Sequence, residues 1–150
     1  MGKYENAVKL MNERYNKDEL WPIATKNGDG MDVRFVNGYY EDGAVYTVTY
    51  SLSRKMQHIA AEPKVAICSF WFVGHGIGEN LGWVRDEKNA EIMAKCRAAF
   101  AEWYDNGHTN EEDPNTCLLR VKLIDGFLID NEKKYGEWGY DIDFVNKTIK

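Results

Sequence analysis

The segment AVYTVTYSLSRKMQHIAAEP, Ala44 to Pro63, passes from an extended β-branched and aromatic run through a hydroxyl-rich turn into a short helix. Ala44 to Tyr50 reads as a strand. Ser53 to Ala60 reads as a helix showing Met56, Ile59 and Ala60 on one side, and Pro63 stops its extension because it cannot continue the backbone ladder. Ser53 is placed to cap that helix, which leaves the amides of the first turn close to the cations Arg54 and Lys55. A phosphate there would meet hydrogen-bond donors and opposite charge at one point.

Working outward, Leu20 to Lys26 and Met31 to Tyr40 are expected to be strands joined at Asn27-Gly28-Asp29-Gly30, which supplies the positive φ angles of a hairpin. Glu41-Asp42-Gly43 turns the chain into Ala44 to Tyr50, giving three antiparallel strands. Before them, Tyr4, Val8, Met11 and Tyr15 share one face of an amphipathic helix expected to pack over a barrel end. After them, Lys64 to Val73 is read as one strand covered on both sides. Val65, Ile67, Ser69 and Trp71 form one face, and Ala66, Cys68, Phe70 and Phe72 the other.

Gly74 to Gly78 is expected to turn the chain into a strand Glu79 to Arg85, where Gly82 omits a side chain. A helix over 86–104 follows, with the stripe Ile92, Cys96, Ala99, Phe100 and Trp103, and then a mobile surface loop from Asn106 to Asn115. Thr116 to Ile124, Phe127 to Ile129 and Tyr140 to Val145 return to β, with Asp125-Gly126 between the first two. The expected fold is therefore mainly β with flanking α. It is a six- to seven-stranded antiparallel barrel in a single domain, 1–150, since the loops are too short for regular βαβ crossovers.

The 150 residues are 44% hydrophobic and 13% aromatic, which excludes a disordered or fibrous chain. A net charge of −5 leaves no basic excess for a nucleic-acid backbone. Cys68, Cys96 and Cys117 fit neither a disulfide framework nor a zinc site. With no signal-peptide pattern, no run near the roughly 20 apolar residues of a membrane span, and a Met-Gly start lacking the myristoylation pattern, the reading is cytoplasmic. His58, His75 and His108 show no shared metal spacing, Gly74-His75-Gly76-Ile77-Gly78 is followed by a strand rather than a phosphate-binding helix, and Glu111-Glu112-Asp113 reads as solvated acid. No metal is assigned, and no catalytic acid, base or nucleophile is identified.

From Arg34 to Gly82 the sequence resembles the pyridoxamine 5′-phosphate oxidase-like superfamily of FMN-binding split β-barrels. The resemblance rests on the order Val33-Arg34-Phe35-Val36, Val48-Thr49-Tyr50, the Ser-Arg-Lys helix start, and Glu62-Pro63-Lys64-Val65. It implies a homodimer with FMN in clefts between the subunits. Arg34, Thr49, Arg54 and Lys55 would contact phosphate or ribityl oxygens, Val48 and Tyr50 would lie along the ribityl chain or ring, and Gly82 and Trp83 would reach the partner's flavin. The implied activity is an FMN-dependent oxidoreductase passing hydride or electrons between a donor such as NAD(P)H and a small substrate. The alternatives are a non-catalytic flavin-binding stress module and a barrel that binds haem or a deazaflavin. No Arg follows Arg120, so the C-terminal Arg-rich motif of true pyridoxamine-phosphate oxidases is missing and vitamin B6 oxidation is not expected.

Overall fold

The computed structural model describes residues 2–134 and 136–150. Helix α1 (Lys3–Tyr15) precedes the strands β1 (Glu19–Asn27), β2 (Gly30–Glu41) and β3 (Ala44–Tyr50). Helix α2 (Arg54–Ala61) leads to β4 (Lys64–Ser69) and β5 (Phe72–Trp83). A 3₁₀ turn at Glu87–Asn89 runs into α3 (Ala90–Ala99), and β6 (Thr116–Ile129), β7 (Gly139–Asp143) and β8 (Thr148–Ile149) complete the chain. The sheet order is β3-β2-β1-β4-β5-β6-β7-β8, and β3 also pairs with β6. That pairing closes six antiparallel strands into a barrel and leaves β7 and β8 as an outer extension of β6.

Binary patterning explains the interior. Trp21, Ile23 and Thr25 of β1, Val45 and Thr47 of β3, Val65 and Ile67 of β4, and Leu119, Val121 and Leu123 of β6 are buried at alternate positions. Into this core α1 inserts Ala7, Met11 and Tyr15, and α2 inserts Met56 and Ile59. Tyr15, Trp21 and Phe72 meet edge to face or tilted, with ring centroids 5.1 to 6.4 Å apart. A second core lies outside the barrel wall, where Met93, Cys96 and Phe100 pack on Tyr39, Val84, Tyr104 and Leu118.

Several boundaries differ from the sequence expectation. The strand expected over Lys64 to Val73 turns at Phe70-Trp71, where Trp71 takes φ +69° although neither residue is a usual turn former. The Phe70 carbonyl accepts from the Tyr15 hydroxyl, and the Trp71 carbonyl accepts from the Ile129 amide at 2.8 Å, so the rest of the fold holds the turn. Both aromatic rings are exposed there instead of sitting in a strand covered on both sides.

Gly74 to Gly78, expected to turn, lies inside β5. A Cβ at Gly74 would stand 2.4 Å from the Asp125 carbonyl oxygen, and one at Gly76 2.5 Å from Val121 Cγ1, so these glycines let β6 approach closely. Opposite them, Asp125-Gly126 does not divide two strands. It belongs to the single strand β6, with a register shift at His75/Gly76 that accommodates Ile124 as a bulge.

The helix expected over 86–104 is shorter, ending at Ala99, and the 106–115 loop is pinned rather than free. Glu111 accepts from Arg97 Nε at 2.9 Å, Arg97 Nη2 at 3.0 Å and the Tyr104 hydroxyl at 2.6 Å, while its backbone carbonyl takes the Trp83 indole N–H at 2.8 Å. Glu111 is therefore not part of a solvated acidic run.

The outer sheet face is strongly apolar. Met31, Val33 and Phe35 of β2 project outward, with Val33 69% and Phe35 72% exposed, and Val73 and Phe127 continue the patch on β5 and β6. Ala24 and Ala66 lie between these edges.

Gly74→Ala is expected to lose about 1–3 kcal/mol of stability in urea unfolding. Gly30→Ala, whose nearest atom is the Asn27 carbonyl oxygen at 3.5 Å, is expected to stay within about 0.5 kcal/mol of the parent. Hydrogen bonding from Arg97, partly offset by burial and reinforced by Tyr104, holds the Glu111 carboxyl below its usual pKa. Its contribution is thus complete above the unfolded carboxylate pKa of about 4.3 and is lost as pH falls through the lower folded value. Thermal melts from pH 7 to 3 are expected to show Glu111→Gln less stable than the parent at pH 7, with the gap closing in acid.

Candidate functional site

The end of β3, the start of α2 and the middle of β2 meet at one concavity with Arg34, Ser53, Arg54 and Lys55 in its wall, beside Met31, Asp32 and Val33. Local sequence sets this up. Ser53, in extended conformation, accepts from the Met56 amide at 3.4 Å and so caps α2, which places Arg54 and Lys55 in the first helical turn. Across the strands, Arg34 pairs with Ile23 on β1, so its side chain follows the inward alternation toward α2.

Arg34 is held from behind. Its Nη1 donates to Thr25 Oγ1 at 2.8 Å, to the Ile23 carbonyl at 3.2 Å and to the Asp32 carbonyl at 3.3 Å. Thr25 is fully buried, and its hydroxyl also lies 2.9 Å from His58 Nδ1 on α2. These contacts orient the guanidinium without neutralising it.

Lys55 is only 9% exposed. Its ammonium donates to Thr49 Oγ1 and, at 3.3 Å, to Ser53 Oγ, and among the described residues it has no carboxylate within salt-bridge distance. Burial lowers the Lys55 pKa, and the like charge of Arg34 lowers it further. Burial also lowers that of Arg34, with Asp32 opposing and Arg54 adding to the effect. A buried cation facing a second cation, with hydroxyls as its only partners among the described residues, lacks an anion. Such electrostatic frustration is characteristic of binding sites.

Among the described residues, Asp32 is the one carboxylate lining this concavity. Its Oδ2 lies 3.2 Å from Arg54 Nη2 and 4.0 Å from His58 Nε2. Arg54 is 77% exposed, so its pair with Asp32 is a surface contact that solvent screens and an incoming anion can exchange.

Of the residues singled out from sequence, Arg34, Thr49, Arg54 and Lys55 converge. Tyr50 is exposed at the adjoining end of β3. Val48 faces the opposite side of its strand and packs on the second core. Gly82, at φ +90°, and Trp83 lie at the far end of β5 on the α3 side, away from this concavity. Sequence reading missed Thr25, Asp32 and His58, whose side chain is only 12% exposed. The i, i+2 spacing of Asp32 and Arg34, which puts both on one strand face, was the available signal.

No protein-family model matches the sequence, and no curated protein matches it significantly. Solved structures do. General Stress Protein 26 from Bacillus anthracis superposes with a TM-score of 0.61 at 16% identity, over 87% of this chain and 95% of that one. A pyridoxamine 5′-phosphate oxidase-related, FMN-binding protein from Nostoc punctiforme gives 0.58 at 16% identity, over 100% and 95%. The heme storage protein HutZ from Vibrio cholerae gives 0.63 at 13% identity, over 85% and 95%. In its fold, the chain is a split β-barrel like those of these proteins.

Proposed function

We infer that the chain binds FMN through its phosphate, using Lys55, Arg34 and Arg54, with Thr49 on the ribityl side. The observation that carries this reading is the buried Lys55 ammonium beside Arg34 with no carboxylate partner among the described residues. A phosphate dianion satisfies both cations, and the α2 amides of Arg54 and Lys55 sit at the positive end of the helix. The fold is shared with a protein named as FMN-binding and with one named for heme storage, so the fold alone does not select the ligand. The cation set favours a phosphate-bearing one.

Within this reading each residue has a role. Thr25 and His58 orient Arg34, Thr49 fixes the Lys55 ammonium, and Asp32 yields Arg54 when phosphate enters. Tyr50, exposed at the end of β3, would reach a ring or ribityl chain leaving the concavity, and Val48 packs on the other side of the strand. These residues would hold FMN, which when bound would supply hydride or electron transfer between NAD(P)H or a similar donor and a small acceptor. No side chain of this chain is given a catalytic role.

A single barrel offers a groove, not walls for a flavin ring. Met31, Val33 and Phe35 form an exposed apolar strip next to the cation site, which fits a homodimer whose second copy covers the ring and presents Gly82 and Trp83. The cofactor then sits between the two copies.

The purified protein is expected to bind FMN with one site per chain, seen as an absorbance and fluorescence change on titration. Lys55→Met and Arg34→Ala are each expected to weaken FMN binding about ten- to a hundred-fold, the worth of a charge-assisted hydrogen bond. Lys55→Met is also expected to stabilise the ligand-free protein by about 1 kcal/mol, because it removes an unpaired buried charge. Asp32→Asn is expected to tighten FMN binding. Unchanged FMN affinity in Lys55→Met would falsify the reading. Light scattering is expected to show a dimer that Phe35→Asp dissociates. Photoreduction and NAD(P)H oxidation assays separate an oxidoreductase from a flavin-holding module.

A further inference from the structure

We propose that the groove along the flank of α1 is a second ligand site, and that it takes an apolar molecule with a neutral carbonyl oxygen, which accepts the hydroxyl proton of Tyr40. The groove lies between α1, the β2–β3 hairpin tip at Asp42-Gly43, β6 at Lys122-Leu123 and the turn after β7. It follows α1 from Tyr4 to Glu13, roughly 13 Å of helix. Its volume is about 960 Å³, near the top of the range of roughly 300–1,000 Å³ usual for small-molecule sites. It shares no lining residue with the concavity of Arg34 and Lys55.

The fold holds the walls of this groove in place. The Leu123 amide donates to the Gly43 carbonyl at 2.9 Å, which ties the hairpin tip to β6, and the Phe144 amide donates to the Ile124 carbonyl at 3.0 Å. Ala7, Met11 and Tyr15 anchor α1 in the core. Much of the lining is apolar: Tyr4 and Val8 are half-buried on α1, and Leu123, Phe144 and Val145 line the groove from the other elements.

Tyr40 lines the groove from β2 and is fully buried, and its hydroxyl has no hydrogen-bond partner among the described residues. Trp21 Nε1 and Arg120 Nε share that condition, but neither residue lines this groove. The neighbours of the hydroxyl locate it. Burial does most to raise the Tyr40 pKa, the Gly43 backbone opposes this, and Tyr4 and Asp42 add to it. Gly43, Tyr4 and Asp42 all line the groove, so the hydroxyl stands at its inner wall. The Gly43 amide can only donate, which leaves the hydroxyl's own proton as the group without a partner. An unpaired buried donor is costly, and an acceptor oxygen recovers that cost. Because the hydroxyl is closed to water, the oxygen reaches it as the groove walls part slightly.

Charge decides between a carbonyl and a carboxylate. Glu5, Glu13 and Asp42 line the groove against Lys9, Lys122 and Lys147, so the two signs balance, and Glu5, Lys9 and Glu13 follow one another at i, i+4 along α1. An anion meets no net attraction there. Asp42 also acts on the Tyr40 hydroxyl in the sense that opposes further negative charge. A ketone, ester or amide oxygen accepts the proton without bringing a charge into a buried position.

The test is an NMR titration of the full ¹⁵N-labelled chain with benzophenone and with diphenylmethane, which keeps both rings and has a methylene in place of the carbonyl. The expected result is saturable shifts in α1 and at Gly43, Phe144 and Val145, with benzophenone bound about five- to ten-fold more tightly, the worth of one hydrogen bond. Tyr40→Phe is expected to bind the two compounds alike and to melt no lower than the parent, since it removes a hydroxyl that bonds to nothing. Val145→Asp, at a position 65% exposed, is expected to keep the fold and weaken both compounds several-fold. Both variants are expected to titrate with FMN as the parent does. The proposal is overturned by the absence of saturable shifts, by shifts confined to the Met31, Val33 and Phe35 face, by equal affinity of the parent for the two compounds, or by a benzophenone preference that survives in Tyr40→Phe. A Tyr40→Phe melting temperature well below the parent's also overturns it, because the hydroxyl then has an internal partner.

Discussion

Pairing of β3 with β6, in register from Ala44 opposite Lys122 to Tyr50 opposite Thr116, is the constraint on which everything else rests. It closes the barrel, and because α2 leaves β3 three residues later it fixes where that helix begins. Thr49 is held opposite Cys117, so its hydroxyl meets the Lys55 ammonium just as the chain turns into α2. From the other side, nine paired positions between β1 and β2 carry Arg34 to the same point. Two independent ladders thus aim cations at one another, a geometry that packing energy sustains against Coulomb repulsion.

Natural cores seldom bury a lysine without a partner, since the ammonium loses its hydration and gains only hydroxyl contacts. Here the surrounding structure is committed to keeping it. Ser53 both caps α2 and accepts from Lys55, and Thr25 both accepts from Arg34 and contacts His58. Asp32 supplies partial compensation to Arg54 at the solvent edge and leaves Lys55 uncompensated. An anion placed there would relieve that unfavourable energy, and the proposed reading thereby ties ligand affinity to apo-state stability.

How much of this was legible in the sequence depended on whether the cause was local. The Asn27–Gly30 and Asp42–Gly43 turns, the alternation of β1 to β3 and the Ser53 cap are short-range chemistry, and the structure has them where the residues say. The turn at Phe70-Trp71 was hidden because a strand-like SFWF carries no turn former, and the contacts that hold it come from Tyr15 and Ile129. Conversely, glycines at 74 and 76 mimic a turn, whereas they serve close contact with β6, a partner some 50 residues away. At the site, the order of Arg34, Thr49, Arg54 and Lys55 was readable, but the support from Thr25 and His58 and the intrusion of Asp32 follow from strand register and helix placement. Glu111 looked like one acid in a polar run until Arg97 and Tyr104 were folded against it.

The most direct test of the central claim is a crystal structure of the protein grown with FMN. The account predicts phosphate oxygens within hydrogen-bonding distance of Lys55 Nζ and the Arg34 guanidinium, with the Asp32 carboxylate turned away from Arg54. A phosphate seated elsewhere, with Lys55 still bonded only to Thr49 and Ser53, contradicts it.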